Sequence, residues 1–427
     1  MIKRPFFSFG KPGLRYSTAN EIDQDVREIA ISEKITLLLK TKGGDQGISP
    51  IAKGKKVKTG ERLALTLGKR GSLTSTATGK VVDVSPFTGY AGQSYLSLVI
   101  ETEKQDIWDD TFKKMLDEKG PAEAFSLVEN LPGIADLTPF ANPENKLKTI
   151  IISGFDGDLL TVTNQFIVKT ETGPLAEGVK YLKKITGADR IILAVPPSLG
   201  AEAAGIEAEV KVIGPAYPNA LPSLLIESAT GVRTLPGMDP GKVGIGVISA
   251  EAVAAIGKLF TQGTTPLYKV LTVIDKNERL AIIRARIGTP AKEILAALNI
   301  ETGQGDRLVF GGPMFGQAVY SEEMPVQADT DAIMIQDSAQ IVPSSGDPCI
   351  NCGECVRACP ANVPVNMLIR YLENGLYDEA ARDYDLFSCI ECGICGYVCE
   401  MRIPIFHYIM LGKHEIALTE ALEESNG

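Results

Sequence analysis

Eight cysteines are the residues best placed to do chemistry in this 427-residue sequence, and all of them fall between Cys349 and Cys399. They form two runs of one spacing, Cys349, Cys352, Cys355, Cys359 and then Cys389, Cys392, Cys395, Cys399, each a C-x2-C-x2-C-x3-C. Disulfides are a poor reading, because residues three apart pair badly and the opening residues, read as carrying no secretion signal, predict a reducing compartment. Zinc fits little better: four-cysteine zinc sites usually pair two C-x2-C knuckles across a longer gap. Three thiolates at steps of three, with a fourth supplied from elsewhere, suit three irons of one cube, the intervening N–H groups facing its sulfides. Two 4Fe-4S clusters are the expected cofactors.

The runs are similar to those of the bacterial two-cluster ferredoxins, in which the fourth cysteine of each run ligates the other cluster. That resemblance implies Cys349, Cys352 and Cys355 with Cys399 for one cluster, and Cys389, Cys392 and Cys395 with Cys359 for the other, a crossing that locks the clusters close together. Gly353 and Gly393 occupy the same place in each run, where a missing Cβ lets the backbone approach the cluster. Pro360 follows Cys359 as the pattern expects, whereas Glu400 stands in the second proline's place and reads as a solvated charge near a cluster. Met367, Leu368, Tyr371 and Leu372, then Leu376, Ala380 and Ala381, recur at helical spacing and predict two short helices around Gly375.

The elements upstream predict a multidomain α/β and α+β chain. After an N-terminal extension, residues 1–28, short apolar runs alternate with Gly-rich turns over residues 29–105, as in a β barrel-sandwich of the lipoyl type. No lysine lies between Thr74 and Gly79, so covalent cofactor attachment is not expected. Residues 106–262 begin with a charged helical connection broken at Gly120-Pro121. They then alternate β-branched runs at 149–153, 190–195, 210–213 and 243–248 with helix-length segments at 174–186 and 221–229, predicting a buried parallel sheet. Residues 263–335 read as a small β-grasp: a hairpin at 267–274 and 280–287, a helix at 290–298 and a strand at 307–310. Residues 336–427 form the helical ferredoxin domain.

Other chemistries find little support. Forty-three basic against 53 acidic residues give a net charge of -10, so no overall basic field exists to hold nucleic acid. The longest uncharged stretch, residues 212–226, contains three prolines and cannot span a bilayer. Gly244-Ile245-Gly246 lacks the third glycine of a dinucleotide loop, and Pro313 removes a donor from Gly311-Gly312-Pro313-Met314-Phe315-Gly316, which therefore reads as a structural turn rather than an anion nest. His407 and His414, the only histidines, read as partner-facing surface residues. After Ile403, the stripe Ile405, Phe406, Ile409 and Met410 serves either a partner contact or internal packing.

The stretch Leu386-Phe387-Ser388-Cys389-Ile390-Glu391-Cys392-Gly393, the segment Arg286-Ile287-Gly288-Thr289-Pro290, the turn Gly311-Gly312-Pro313-Met314 and the opening Phe6-Phe7-Ser8-Phe9-Gly10 resemble the RnfC family, one component of the Rnf ion-translocating ferredoxin:NAD oxidoreductase complex. The β-grasp is similar to an SLBB domain, and the family is related to the flavin-binding subunit of respiratory complex I and to NqrA of the sodium-pumping quinone reductase. The resemblance implies a peripheral subunit on the cytoplasmic side of the cell membrane, with no spanning segment of its own. Its partners would be the other subunits and ferredoxin as donor or acceptor, and it would relay electrons through two 4Fe-4S clusters, usually with FMN and NAD(H).

In this sequence the family's G-G-A-G-F-P-T loop is replaced over residues 132–143, where Pro132, Pro139 and Pro143 lack an N–H and Asp136 adds negative charge. Asp156 and Asp158 add two more charges, offset only by Lys146 and Lys148, and this middle part is closer to NqrA, whose members lack FMN. The expectation is a one-electron relay that binds neither FMN nor NADH tightly, its own NADH-oxidising activity lost. The alternatives are a flavin-dependent NADH dehydrogenase or corrinoid reductase of the same superfamily, and a structural adaptor whose clusters are redox-inert.

Overall fold

Thr149–Ser153 and Arg190–Val195 carry almost no charge and are rich in β-branched residues, which suits strands buried on both faces. In the computed structural model, which describes residues 12–19, 25–40, 51–64, 72–89, 94–141, 146–234 and 238–426, they lie side by side in a parallel sheet. The strand order is Glu209–Val212, Arg190–Val195, Thr149–Ser153, Ile245–Ser249, all parallel, as the alternation of strands and helices requires. The chain leaves Thr149–Ser153 toward one edge and returns to its other side with Ile245–Ser249, so the carboxyl end of Thr149–Ser153 is a topological switch point, the usual place for a ligand crevice in such sheets. Helices Thr163–Thr170, Thr172–Thr186 and Ala250–Gln262 cover the sheet, and Ile150, Ile152, Leu193, Val195, Leu175, Val253 and Ile256 form the shared core.

The chain divides into two compact units. The first gathers Gln340–Gly427 with Ala216–Asp239 and the start of the chain, and the second comprises Tyr16–Pro215 and Pro240–Ala339. The stretch Ala216–Asp239, read from the sequence as part of the α/β region, thus joins the cysteine-bearing unit. Within the second unit an antiparallel sheet of Lys34–Lys40, Ser94–Thr102, Gly79–Thr88 and Lys56–Val57 closes over Ile35, Leu37, Val57, Val81, Leu98 and Ile100, with a register shift between Val81 and Asp83. Residues 75–78, where a carrier domain would present its attachment residue, are buried, and Thr76 Oγ1 donates to Ile287 O.

A further mixed sheet runs Arg27–Glu28, Leu280–Arg286, Tyr268–Ile274, Ala332–Gln336, Arg307–Phe310, Gln317–Val319, and helix Ala291–Leu298 packs on it through Ala291, Ile294 and Leu295. Arg286 ties these two sheets together. Its guanidinium is 3% exposed, meets the Asp106 carboxylate at 2.7 and 2.9 Å, donates to Thr76 O and to the Tyr268 hydroxyl, and holds the Asp106 carboxyl below the usual carboxylate range.

Candidate functional site

The two cysteine runs fold as copies displaced by forty positions. Asn351 and Glu391 have φ of 57° and 60°, Gly353 and Gly393 78° and 70°, and Asn362 and Arg402 56° and 54°. Alternating left-handed residues curl the backbone around a centre and turn consecutive N–H groups inward, the form an anionic cluster needs. Each curl leads into a short helix, Glu354–Ala358 or Ile394–Tyr397, carrying the third cysteine. Glycine precedes both helices because no Cβ obstructs the left-handed turn there. The helices Val365–Glu373 and Tyr377–Asp383 follow, as read around Gly375.

This folding brings the fourth cysteine of each run to the other. Cys349, Cys352, Cys355 and Cys399 line one cavity with Ile369, Met401, Ile403 and Ile405. Burial, then the neighbouring Cys349 and Cys352 and also Cys399, pushes the Cys355 thiol up to about 12. In the other group burial leads again, and Cys389 and Cys359 are the thiols that help push Cys392 up to about 11. Cys395 is raised by burial and by Cys389 and Cys392, with a smaller contribution from Cys355, so the third cysteines sit where the groups adjoin. Amide N–H groups already face sulfur in this second group, Val363 N to Cys359 Sγ and Glu391 N to Cys389 Sγ, both at 3.4 Å. Four soft donors in each of two half-buried groups, lined by apolar side chains and backbone donors, fit iron-sulfur cubes; the bound iron would override the burial that keeps free thiols protonated.

Glu400 is exposed, in keeping with a solvated charge, and so are His407 and His414. The apolar stripe divides: on helix Ile405–Asn426, Ile405 and Ile409 are buried against Leu368, Leu372 and Leu386, while Phe406 and Met410 are partly exposed. The internal packing reading therefore holds for half of it. Two residues unremarked in the sequence reach the second run. Lys413 Nζ donates to Cys389 O at 2.8 Å and to Glu391 at 2.6 Å, and the buried Tyr217 hydroxyl donates to Cys392 O at 2.7 Å across 175 positions of sequence. No local spacing could have announced the tyrosine.

At the switch point of the parallel sheet, each anion cradle already holds a group of the chain itself. Asp156, fully buried, accepts from the N–H of Asn164 at 2.7 Å in the first turn of Thr163–Thr170. Asp158 accepts from the N–H groups of Met314 and Phe315 at 3.0 Å, so the glycine-rich turn read as merely structural is an anion nest after all, filled by a carboxylate. Pro313 did not prevent this, because the donors are the next two residues. Gly133 (φ +89°) lies against the start of helix Ala250–Gln262, where a Cβ would come within 2.6 Å of Ala252 N, and its carbonyl accepts from the Ser249 hydroxyl that caps that helix. Of residues 132–143, Asn142 and Pro143 lie outside the described residues. A cavity at this edge is lined by Asp158, Asp329 and Asp331 beside Phe315 and Gln317, an acidic wall.

Burial pushes the Asp156 carboxyl up to about 7, with Asp331 raising it further and Lys269 opposing, and pushes Asp158 up to about 6. A folded-state value above the unfolded one near 3.9 means that ionisation works against folding, so this contribution is complete below about pH 4 and is lost as pH rises through 7. Asp156→Asn keeps an acceptor for Asn164 and cannot ionise. Its stability relative to the parent is expected to rise between pH 4 and 8 by up to about 4 kcal/mol, checked by urea denaturation across that range; a pH-independent difference would contradict the assignment.

Residues 348–403 match the family described as 4Fe-4S dicluster domain. Over longer stretches the chain is similar to the C subunit of the ion-translocating oxidoreductase complex of Rhodobacter capsulatus, 23% identical over 332 residues that cover 73% of this chain and 64% of that protein. It is 26% identical over 330 residues to the C subunit of the Na(+)-translocating ferredoxin:NAD(+) oxidoreductase complex of Acetobacterium woodii, covering 71% and 73%. It is 25% identical over 413 residues to the C subunit of the proton-translocating ferredoxin:NAD(+) oxidoreductase complex of Clostridium ljungdahlii, covering 91% and 89%. The resemblance to the RnfC family carried by the cysteine runs and the Arg286-Ile287-Gly288-Thr289-Pro290 segment is thus present over most of the chain, which spans just under two thirds of the Rhodobacter relative.

Proposed function

We propose that the protein is an iron-sulfur electron-transfer subunit of an Rnf-type ion-translocating oxidoreductase complex. What supports this reading is the two C-x2-C-x2-C-x3-C runs, with Cys399 lining one cavity beside Cys349, Cys352 and Cys355, in a chain similar to the RnfC relatives. Cys349, Cys352, Cys355 and Cys399 would hold one cluster and Cys389, Cys392, Cys395 and Cys359 the other; each cluster, when bound, takes up and releases one electron. The chain's contribution is to shield the groups with Leu368, Ile403, Ile405 and Ile409, to aim amide donors at the sulfurs, and to hold the two groups adjacent. Among the described residues no helix is long and apolar enough to cross a membrane. We therefore read the chain as a peripheral subunit on the cytoplasmic side, bound to the other subunits and exchanging electrons with ferredoxin or a neighbouring subunit.

The rest of the chain we read as scaffold: a barrel-sandwich at 29–105, an α/β domain at 106–262 interrupted by Ala216–Asp239, and an SLBB-like β-grasp at 263–335. The buried turn at 75–78 supports a structural rather than a carrier role for the first. Flavin phosphate and the NADH pyrophosphate need convergent N–H donors or cations. At the switch point those donors are spent on Asp156, Asp158 and the Ser249 cap, and the cavity wall is acidic, so the residues present do not fit FMN or NADH. Cluster-replete protein is expected to bleach with dithionite or a one-electron protein donor, to stay oxidised with NADH, and to give no calorimetric signal with micromolar FMN. NADH bleaching without another subunit, or micromolar flavin binding, would overturn the relay reading.

A further inference from the structure

The two cysteine loops are near copies, yet equivalent carbonyls are held by different chemistry. Cys352 O accepts from the exposed Arg357 guanidinium at 3.0 Å, a cation also paired with Glu354. Forty positions on, Cys392 O accepts from the Tyr217 hydroxyl at 2.7 Å, and Tyr217 is 5% exposed. The position matching Arg357 is Tyr397, whose side chain lies largely outward. Each loop also keeps one ion pair beside it, Arg357 with Glu354 and Lys413 with Glu391, so formal charge nearly balances and Tyr217 is the added element.

Burial differs in step. Ile350 is half exposed and Cys352, Gly353 and Glu354 are partly accessible, whereas Cys392, Gly393 and Ile394 are buried. Adding an electron to a buried anionic cluster costs more than adding one to an accessible cluster, because less water screens the charge. A fixed O–H dipole with its positive end toward the loop opposes that cost, and through the peptide it polarises it strengthens Gly393 N–H as a donor.

We propose that Tyr217 is a positioning residue for the second cluster: its hydroxyl fixes the Cys389–Cys395 loop through Cys392 O and raises the reduction potential of that cluster alone. This rests on the reading that the eight cysteines hold two clusters. The hydroxyl comes from Ala216–Asp239, a segment far from the cysteines in sequence that the fold sends to this loop, and its backbone is anchored by Tyr217 N to Leu14 O at 3.0 Å.

Tyr217→Phe removes the O–H and keeps the ring. The full chain, reconstituted anaerobically, should hold the same iron as the parent. In a redox titration followed by electron paramagnetic resonance, the cluster that Cys392→Ala abolishes should be about fivefold less reduced at a given potential, about 40 mV at 59 mV per decade, while the other stays put. No shift, or an equal shift of both, overturns the proposal. Parent protein that never holds two clusters would instead refute the reading beneath it. Should Tyr217→Phe lose the second cluster, 3-fluorotyrosine placed at 217 decides: this stronger donor of nearly the same shape should move the same midpoint upward, and an unmoved midpoint overturns the proposal.

Discussion

Cys359→Ala is expected to remove the cluster on Cys389, Cys392 and Cys395 and to leave the one on Cys349, Cys352 and Cys355, cutting iron from about eight to about four per chain. The effect is large because a cube that loses a thiolate loses both a bond and the geometry of its loop. It is also counterintuitive, since Cys359 lies in the other run. The reason is spatial: Cys359 Sγ accepts from Val363 N, and its sulfur acts on Cys389 and Cys392, whereas Cys399 acts on Cys355 and lines the first cavity. Cys399→Ala should give the mirror result. Iron analysis with the resonance spectrum of the surviving cluster checks both, and selective loss of the nearer cluster from either variant would refute the crossing.

Lys269→Ala should lower stability by about 3–5 kcal/mol, the cost of breaking a buried ion pair by removing one partner. Lys269 is fully buried on Tyr268–Ile274; its ammonium donates to Glu251, to Asp331 at 3.0 Å and to Val270 O at 2.9 Å. Two carboxylates facing it outweigh its burial and keep it charged. Without the lysine, Glu251, 3% exposed at the start of helix Ala250–Gln262, keeps among the described residues only neutral hydrogen-bond partners such as Val270 N. The double variant Lys269→Met with Glu251→Gln should recover much of the loss, because no unpaired charge remains. Urea denaturation of the three proteins at one pH decides: a loss below about 1 kcal/mol for Lys269→Ala would mean that the pair contributes little beyond an apolar substitute.

The strands 149–153, 190–195 and 307–310 fall where they were read, because they are short, apolar runs with at most one charge, and the first two, rich in β-branched residues, pair parallel. Helix Thr163–Thr170 was not, since its buried residues include Thr163, Asn164 and Gln165, whose polarity hides the apolar face. Those side chains are buried at little cost because they are hydrogen-bonded: Asn164 to Asp156 and Glu251 N, Thr163 to Thr272 and Gln165 to Ser17 O, partners that no periodicity displays. The same limit applies at the cluster site. Spacing revealed all eight cysteines, the paired glycines Gly353 and Gly393 and the short helices between the runs, all of them local features. It could not reveal Tyr217 or Lys413, nor that the glycine-rich turn would close on Asp158, because each of those contacts joins segments far apart in the chain.

The central claim, two 4Fe-4S clusters on eight cysteines held close by crossed ligation, is tested most directly by iron, acid-labile sulfide and paramagnetic resonance measurements on one anaerobic preparation of the full chain. About eight irons and eight sulfides per chain are expected, and on full reduction a broadened spectrum from two interacting paramagnets. Zinc in place of iron, a single cube after complete reconstitution, or two reduced clusters whose spectra simply add without interaction would contradict it.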